Sequence, residues 1–135
     1  MKDLPYGIGI ETSLGFEAAE AAIRTALADE GFGILTEIDV AATLKAKIGV
    51  DRTPYKILGA CNPALANRAL GVDAQIGLLL PCNVVVYDDA GTTAIAALEP
   101  AIMATMSQAA ELKEVAAEAR ARLIRALERV EAGSV

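Results

Sequence analysis

The chain has 135 residues, 54% of them apolar, a formal charge of −6 and no histidine. That length suits one domain with a core that needs no disulfide or metal staple, and the apolar content excludes a disordered chain. The acidic balance argues against a nucleic-acid partner, and the missing histidine excludes Ser-His-Asp and Cys-His catalysis and every histidine-ligated metal.

Met1 to Tyr6 holds no apolar signal segment. No apolar run nears the roughly 20 residues that cross a bilayer. The expected setting is therefore the cytoplasm, with no membrane partner and with Cys61 and Cys82 as free thiols. Lys45, Lys47, Arg52 and Lys56 form the one basic cluster before the last helix and read as a solvated stretch.

From Tyr6 to Thr12, Ile8 and Ile10 alternate with glycines and Glu11, the period of a half-buried strand. Thr12 or Ser13 is the expected cap of a helix that carries Phe16, Ala19, Ile23, Ala26 and Leu27 on one face and ends at Gly31. Gly33 to Val40 reads as a strand with Ile34, Thr36 and Ile38 on one side and Leu35, Glu37 and Asp39 on the other. Asp39 then caps a short segment, Val40 to Ile48, stopped by Gly49. Tyr55 to Ala60 is a third strand. Asn62-Pro63 is a cap followed by a proline at the first helical position, and Gly71 closes the helix at Leu70. Ile76 to Leu80 and Cys82 to Tyr87 read as an extended apolar stretch that Pro81 bends or places at an edge. Asp88 to Gly91 is a hairpin turn, and Thr92 to Leu98 returns antiparallel. A helical region from Glu99-Pro100 to about Val130 would measure ~45 Å at 1.5 Å per residue. That is too long for this domain, so a break is expected near Ser107, leaving a C-terminal helix at about 108–131. Leu112, Ala116, Ala119, Leu123, Ala126 or Leu127, and Val130 stripe it, and Glu118 pairs with Arg122 across one turn.

The hairpin rules out an all-parallel sheet, and the helices are too few to cover two faces. The expected fold is α+β over residues 1–135: a two-layer sandwich, mainly antiparallel, with helices on one face. The other face would then expose Ile, Val, Leu and Ala, as a binding surface or a dimer interface does.

Gly31-Phe32-Gly33-Ile34 with Glu37-Ile38-Asp39, then Tyr55 to Pro63 ending in Cys-Asn-Pro, then Gly77 to Val84 with Leu-Pro-Cys, resemble the bacterial "domain of unknown function 302" family over about Tyr6 to Met106. The resemblance implies a fold similar to one repeat of the TATA-box-binding protein and a homodimer. It implies no cofactor, no activity and no catalytic residue, and the helix after Met106 lies outside the resembling segments.

Cys61 and Cys82 are the leading site candidates. Cys61 precedes a helix N-terminus, which lowers a thiol pKa. Two thiols without histidine suit Cu(I) or a dithiol–disulfide couple. Burial as small hydrophobes competes with both. Asn62 and Asn83 could bind a small ligand, as could Tyr55, which presents an apolar ring with a polar tip. Against this, capping alone accounts for Asn62, bonding at a strand edge for Asn83, and edge packing for Tyr55. Glu99 is a further candidate, although a helix start accounts for it. Glu37 and Asp39 form a carboxylate pair able to do acid–base work or bind a cation, or else a solvated strand end with a cap. The expected function is that of a non-catalytic homodimeric ligand- or partner-binding module; a thiol-based metal or redox protein is the alternative.

Overall fold

The computed structural model describes residues 1–133. Six strands form one sheet: β1 (Lys2–Asp3), β2 (Gly7–Thr12), β3 (Gly33–Asp39), β4 (Tyr55–Cys61), β5 (Cys82–Asp89) and β6 (Thr92–Leu98). Their order is β1-β2-β6-β5-β4-β3. Every neighbouring pair is antiparallel. The α+β class and the antiparallel sheet are as expected. Ala90-Gly91 turns the β5–β6 hairpin with both residues at positive φ, 53° and 91°, the backbone that a two-residue hairpin turn needs.

Strand alternation assigns the faces. The register aligns Ile8 with Ala97, Ala97 with Val84, and Val84 with Leu58. All four are buried, with Ile10, Val86 and Ile95 on the same side. Against them pack α1 (Phe16–Asp29), through Ala19, Ile23, Ala26 and Leu27, and α5 (Ala110–Glu131), through Leu123, Ala126, Leu127 and Val130. The other α-helices among the described residues are α2 (Val40–Ile48), α3 (Pro63–Val72) and α4 (Ala101–Thr105). The first half of α5, with Leu112, Val115 and Ala119, joins α3 and α4 around a second cluster that includes Leu65, Ala69 and Met103. The C-terminal stripe is buried as its spacing predicts. The helix break falls at 106–109, where Ser107 Oγ accepts a bond from the Ala109 N–H at 3.2 Å.

Several local expectations need correction. Residues 74–79 form a 3₁₀ helix, Ala74–Leu79, and not a strand: Asp73 accepts the Gln75 N–H and starts it. The chain bends at Pro81 and enters the sheet only at Cys82. Gly71 lies inside α3, which runs on to Val72. Neither Thr12 nor Ser13 caps α1. Gly15 holds that position, and Thr12 Oγ1 instead accepts from the Leu14 N–H. Residues 34 to 36 of β3 break register, pairing with Ala60 and Gly59. This bulge turns Ile34 to the helix side and Thr36 to the other, so the two do not share a face. The pair Lys2–Asp3 adds an edge strand too short to be read from alternation.

Glu20 on α1 ties the helix layer to the sheet. Lys56 Nζ lies 2.9 Å from Glu20 and 3.0 Å from Glu37, and Arg24 bonds both carboxylates, at 2.9 and 3.1 Å. Burial pushes the Glu20 carboxyl up, but the bonds from Lys56 and Arg24 outweigh it, and the net shift is below 4.5. The hydrogen bond to Glu20 leads in holding the Lys56 ammonium above 10.5. The carboxylate's contribution is thus full above 4.5 and is lost as pH falls through the lower folded value. The ammonium's contribution is full below 10.5 and is lost as pH rises through the raised one. In thermal melts, Glu20→Gln is expected to lower Tm at neutral pH, and its deficit should shrink as the pH drops below 4.5. A deficit that stays constant down to acid would contradict this role.

Candidate functional site

Two places on the sheet hold the candidate residues. The first is at the end where β4 leaves for α3. Ala60 pairs with Cys82 across β4–β5, so Cys61 and Cys82 are close neighbours, as expected, but one step out of phase on the pleat. Cys82 is buried on the helix face, and Cys61 is half-buried at the strand end. Both line a cavity of about 30 Å³ with Phe32, Asn62, Leu65 and Met103. That volume holds one water. Burial, reinforced by the nearby Cys61, pushes the Cys82 thiol pKa up, so it favours the protonated form, which is a poor nucleophile and metal ligand. Among the described residues no three Cys, Asp or Glu side chains gather to hold a metal ion.

Asn62 is committed to the backbone, its Oδ1 accepting the Leu65 N–H at 3.2 Å. Its amide also touches the place a side chain would take at Gly31, whose φ of 86° ends α1 in the left-handed conformation. Glu99 is engaged too: its carboxylate accepts from Arg120 Nε at 2.8 Å and from the Ala101 N–H at 3.2 Å. Glu37 is held by Arg24 and Lys56, and Asp39 accepts from the Ala42 N–H at the start of α2. Helix capping and ion pairing thus account for all four groups.

The second place is the face of the sheet that no helix covers. A trough of about 540 Å³ runs across it. Gly7 and Ala96 make its floor. Leu4 and Tyr6 rise on one side, and Val85, Tyr87 and Tyr55 on the other. Gly7 can carry no side chain, because a Cβ there would collide with the Ala97 carbonyl. Tyr55 and Tyr87 oppose each other in the β4–β5 register and stack with centroids 5.2 Å apart and planes at 17°. The Arg52 guanidinium sits 5.4 Å from the Tyr55 centroid. Asn83 supplies an exposed amide, and no charged side chain lines the trough.

The structure therefore separates the candidates that the sequence offers. Tyr55 and Asn83 meet in the trough, Cys61, Asn62 and Cys82 meet at the small cavity, and Glu99 joins neither. Tyr87, Val85 and Ala96 went unrecognised as site residues. Their signal was strand parity: each stands an even number of residues from Asn83 or Leu98 on its strand.

A family model described as "Domain of unknown function DUF302" matches residues 8–130. The match takes in α5, which the resembling segments had left out. The crystal structure of an uncharacterized conserved DUF302 protein from Bacillus stearothermophilus is 34% identical, covers 93% of this chain and 98% of its own, and superposes with a TM-score of 0.86. Laminin subunit gamma-3 of Homo sapiens is 32% identical over 120 residues; the match takes in 88% of this chain but only 7% of the length of that curated relative.

Thiol titration of the native protein is expected to give at most one fast-reacting group, Cys61, and two after denaturation. Two fast thiols in the native state would contradict the burial of Cys82.

Proposed function

This chain belongs to the DUF302 family, and we propose that it is a non-catalytic binding module that works as a homodimer and holds a small, uncharged, largely apolar ligand on the open face of its sheet. The trough is the observation that supports this. Its volume lies within the roughly 300–1,000 Å³ of small-molecule sites. Its walls are apolar and aromatic, and its few polar groups, the Asn83 amide and the tyrosine hydroxyls, suit orientation and not charge recognition. A charged ligand would have to shed its water without meeting a counter-charge. The carboxylates able to serve a reaction are engaged in caps and ion pairs, which favours binding over catalysis. The two free thiols fit a reducing, cytoplasmic setting.

A thiol-based metal or redox role is the second reading. The neighbouring positions of Cys61 and Cys82 favour it; the raised thiol pKa of Cys82 and the water-sized cavity weigh against it.

Nile red, a neutral apolar dye, is a direct probe of the trough. Its fluorescence is expected to rise on the wild-type protein. In Ala96→Phe, where a ring fills the floor, the rise should disappear while the far-UV spectrum is unchanged. No rise with the wild type, or an equal rise with both proteins, would remove the ligand reading.

A further inference from the structure

We propose that α2 is the surface through which two copies of this chain associate, each packing antiparallel on the other about a twofold axis. The inference rests on the homodimeric reading above and supplies the contact that reading leaves unassigned.

The starting point is a helix with too little holding it. α2 has nine residues, none with a buried side chain. A helix shorter than about 12–15 residues is marginal in water unless it buries an apolar face. α2 has such a face, with Val40, Leu44 and Ile48 at four-residue spacing. Its own chain covers most of Val40 and Leu44 but leaves Ile48 67% exposed and Val50, just past the helix, 43%. Both ends are nonetheless well formed, by the Asp39 cap and by Gly49 at a φ of 67°.

Charge selects the occupant. Asp39 precedes the helix, Glu37 beside it being held by Arg24 and Lys56, and Lys45 and Lys47 end it. A twofold axis that sets two such helices antiparallel brings each acidic start beside the partner's basic end, and a parallel arrangement would oppose like charges. Lys45 already bonds Asp51 at 2.8 Å, but Lys47 has no ion-pair partner among the described residues. Asp39 uses one oxygen in its cap and has no ion-pair partner among the described residues. The rest of a chain with six more acidic than basic groups repels its own copy, so a contact centred on the lysines of α2 is where that repulsion is locally reversed.

Strand addition at the neighbouring edge is a poor competitor. β3 is one edge of the sheet, opposite the two-residue β1, but it carries a bulge between Ile34 and Thr36 and turns Glu37 and Asp39 toward the helix side. Both devices block pairing of one edge strand with another. What β3 adds instead is apolar side-chain surface next to the helix, with Leu35 66% and Ile38 48% exposed.

Light scattering after size exclusion on the full chain tests this, with folding checked by circular dichroism. The wild type is expected as a dimer. Ile48→Asp should run as a monomer, and Lys47→Glu, which leaves the helix face intact, should raise the dissociation constant by about tenfold or more, the scale of losing a central contact. Val85→Asp, on the open face, should remain a dimer. A wild-type dimer that survives both α2 variants, or that only Val85→Asp breaks, would overturn the α2 contact and leave the homodimer standing. A monomeric wild type would remove both.

Discussion

The pleat of one antiparallel sheet, buried on a single side, is the constraint from which the other features follow. Side chains on a strand alternate between faces, and here one face packs against α1 and α5 while the other meets solvent. The run from Cys82 to Tyr87 shows the consequence. Cys82, Val84 and Val86 point into the core, and Asn83, Val85 and Tyr87 point out of it. Six consecutive residues thus line the core and the open face at once. α5 makes the arrangement possible, because its 22 residues span both hydrophobic clusters and seal the sheet with one stripe.

Much of this was legible in the residues. A period-two run located β2, an apolar stretch and the turn at Asp88 to Gly91 located β5 and β6, one-sided apolar stripes located α1 and α5, and Asn62-Pro63 marked a helix start that the structure reproduces. The failures share a cause: local pattern does not record what the rest of the chain supplies. Ile76 to Leu80 is apolar and of strand length, but Asp73 caps it into a 3₁₀ turn and Leu79 and Leu80 pack on the second cluster. The bulge in β3 leaves no mark on the alternation of Ile34, Thr36 and Ile38. Beside it, Gly59 leaves room for the Thr36 hydroxyl and the Pro81 ring, which occupy the place of a side chain. Gly71 resembled a stop signal, yet α3 runs through it for one more residue to Val72.

The candidate site was legible only in part, for a related reason. Chemistry-bearing residue types draw attention to Cys61, Asn62, Cys82 and Glu99, and the structure assigns them mostly to burial, capping and an ion pair. The trough depends instead on what is missing at Gly7 and Ala96 and on two tyrosines that meet only after β4 and β5 pair. Small residues flanked by aromatics at matching parity on three strands were the available signal. Reading it required the strand order, which no local pattern supplies.

Solvent paramagnetic relaxation measured on side-chain methyl groups by NMR tests the one-sided sheet most directly. The account predicts strong enhancement at Val85 and Ile57 and almost none at their immediate neighbours Val84, Val86 and Leu58. Equal protection of both sets would mean that the second face is covered as the first is, and would contradict the account.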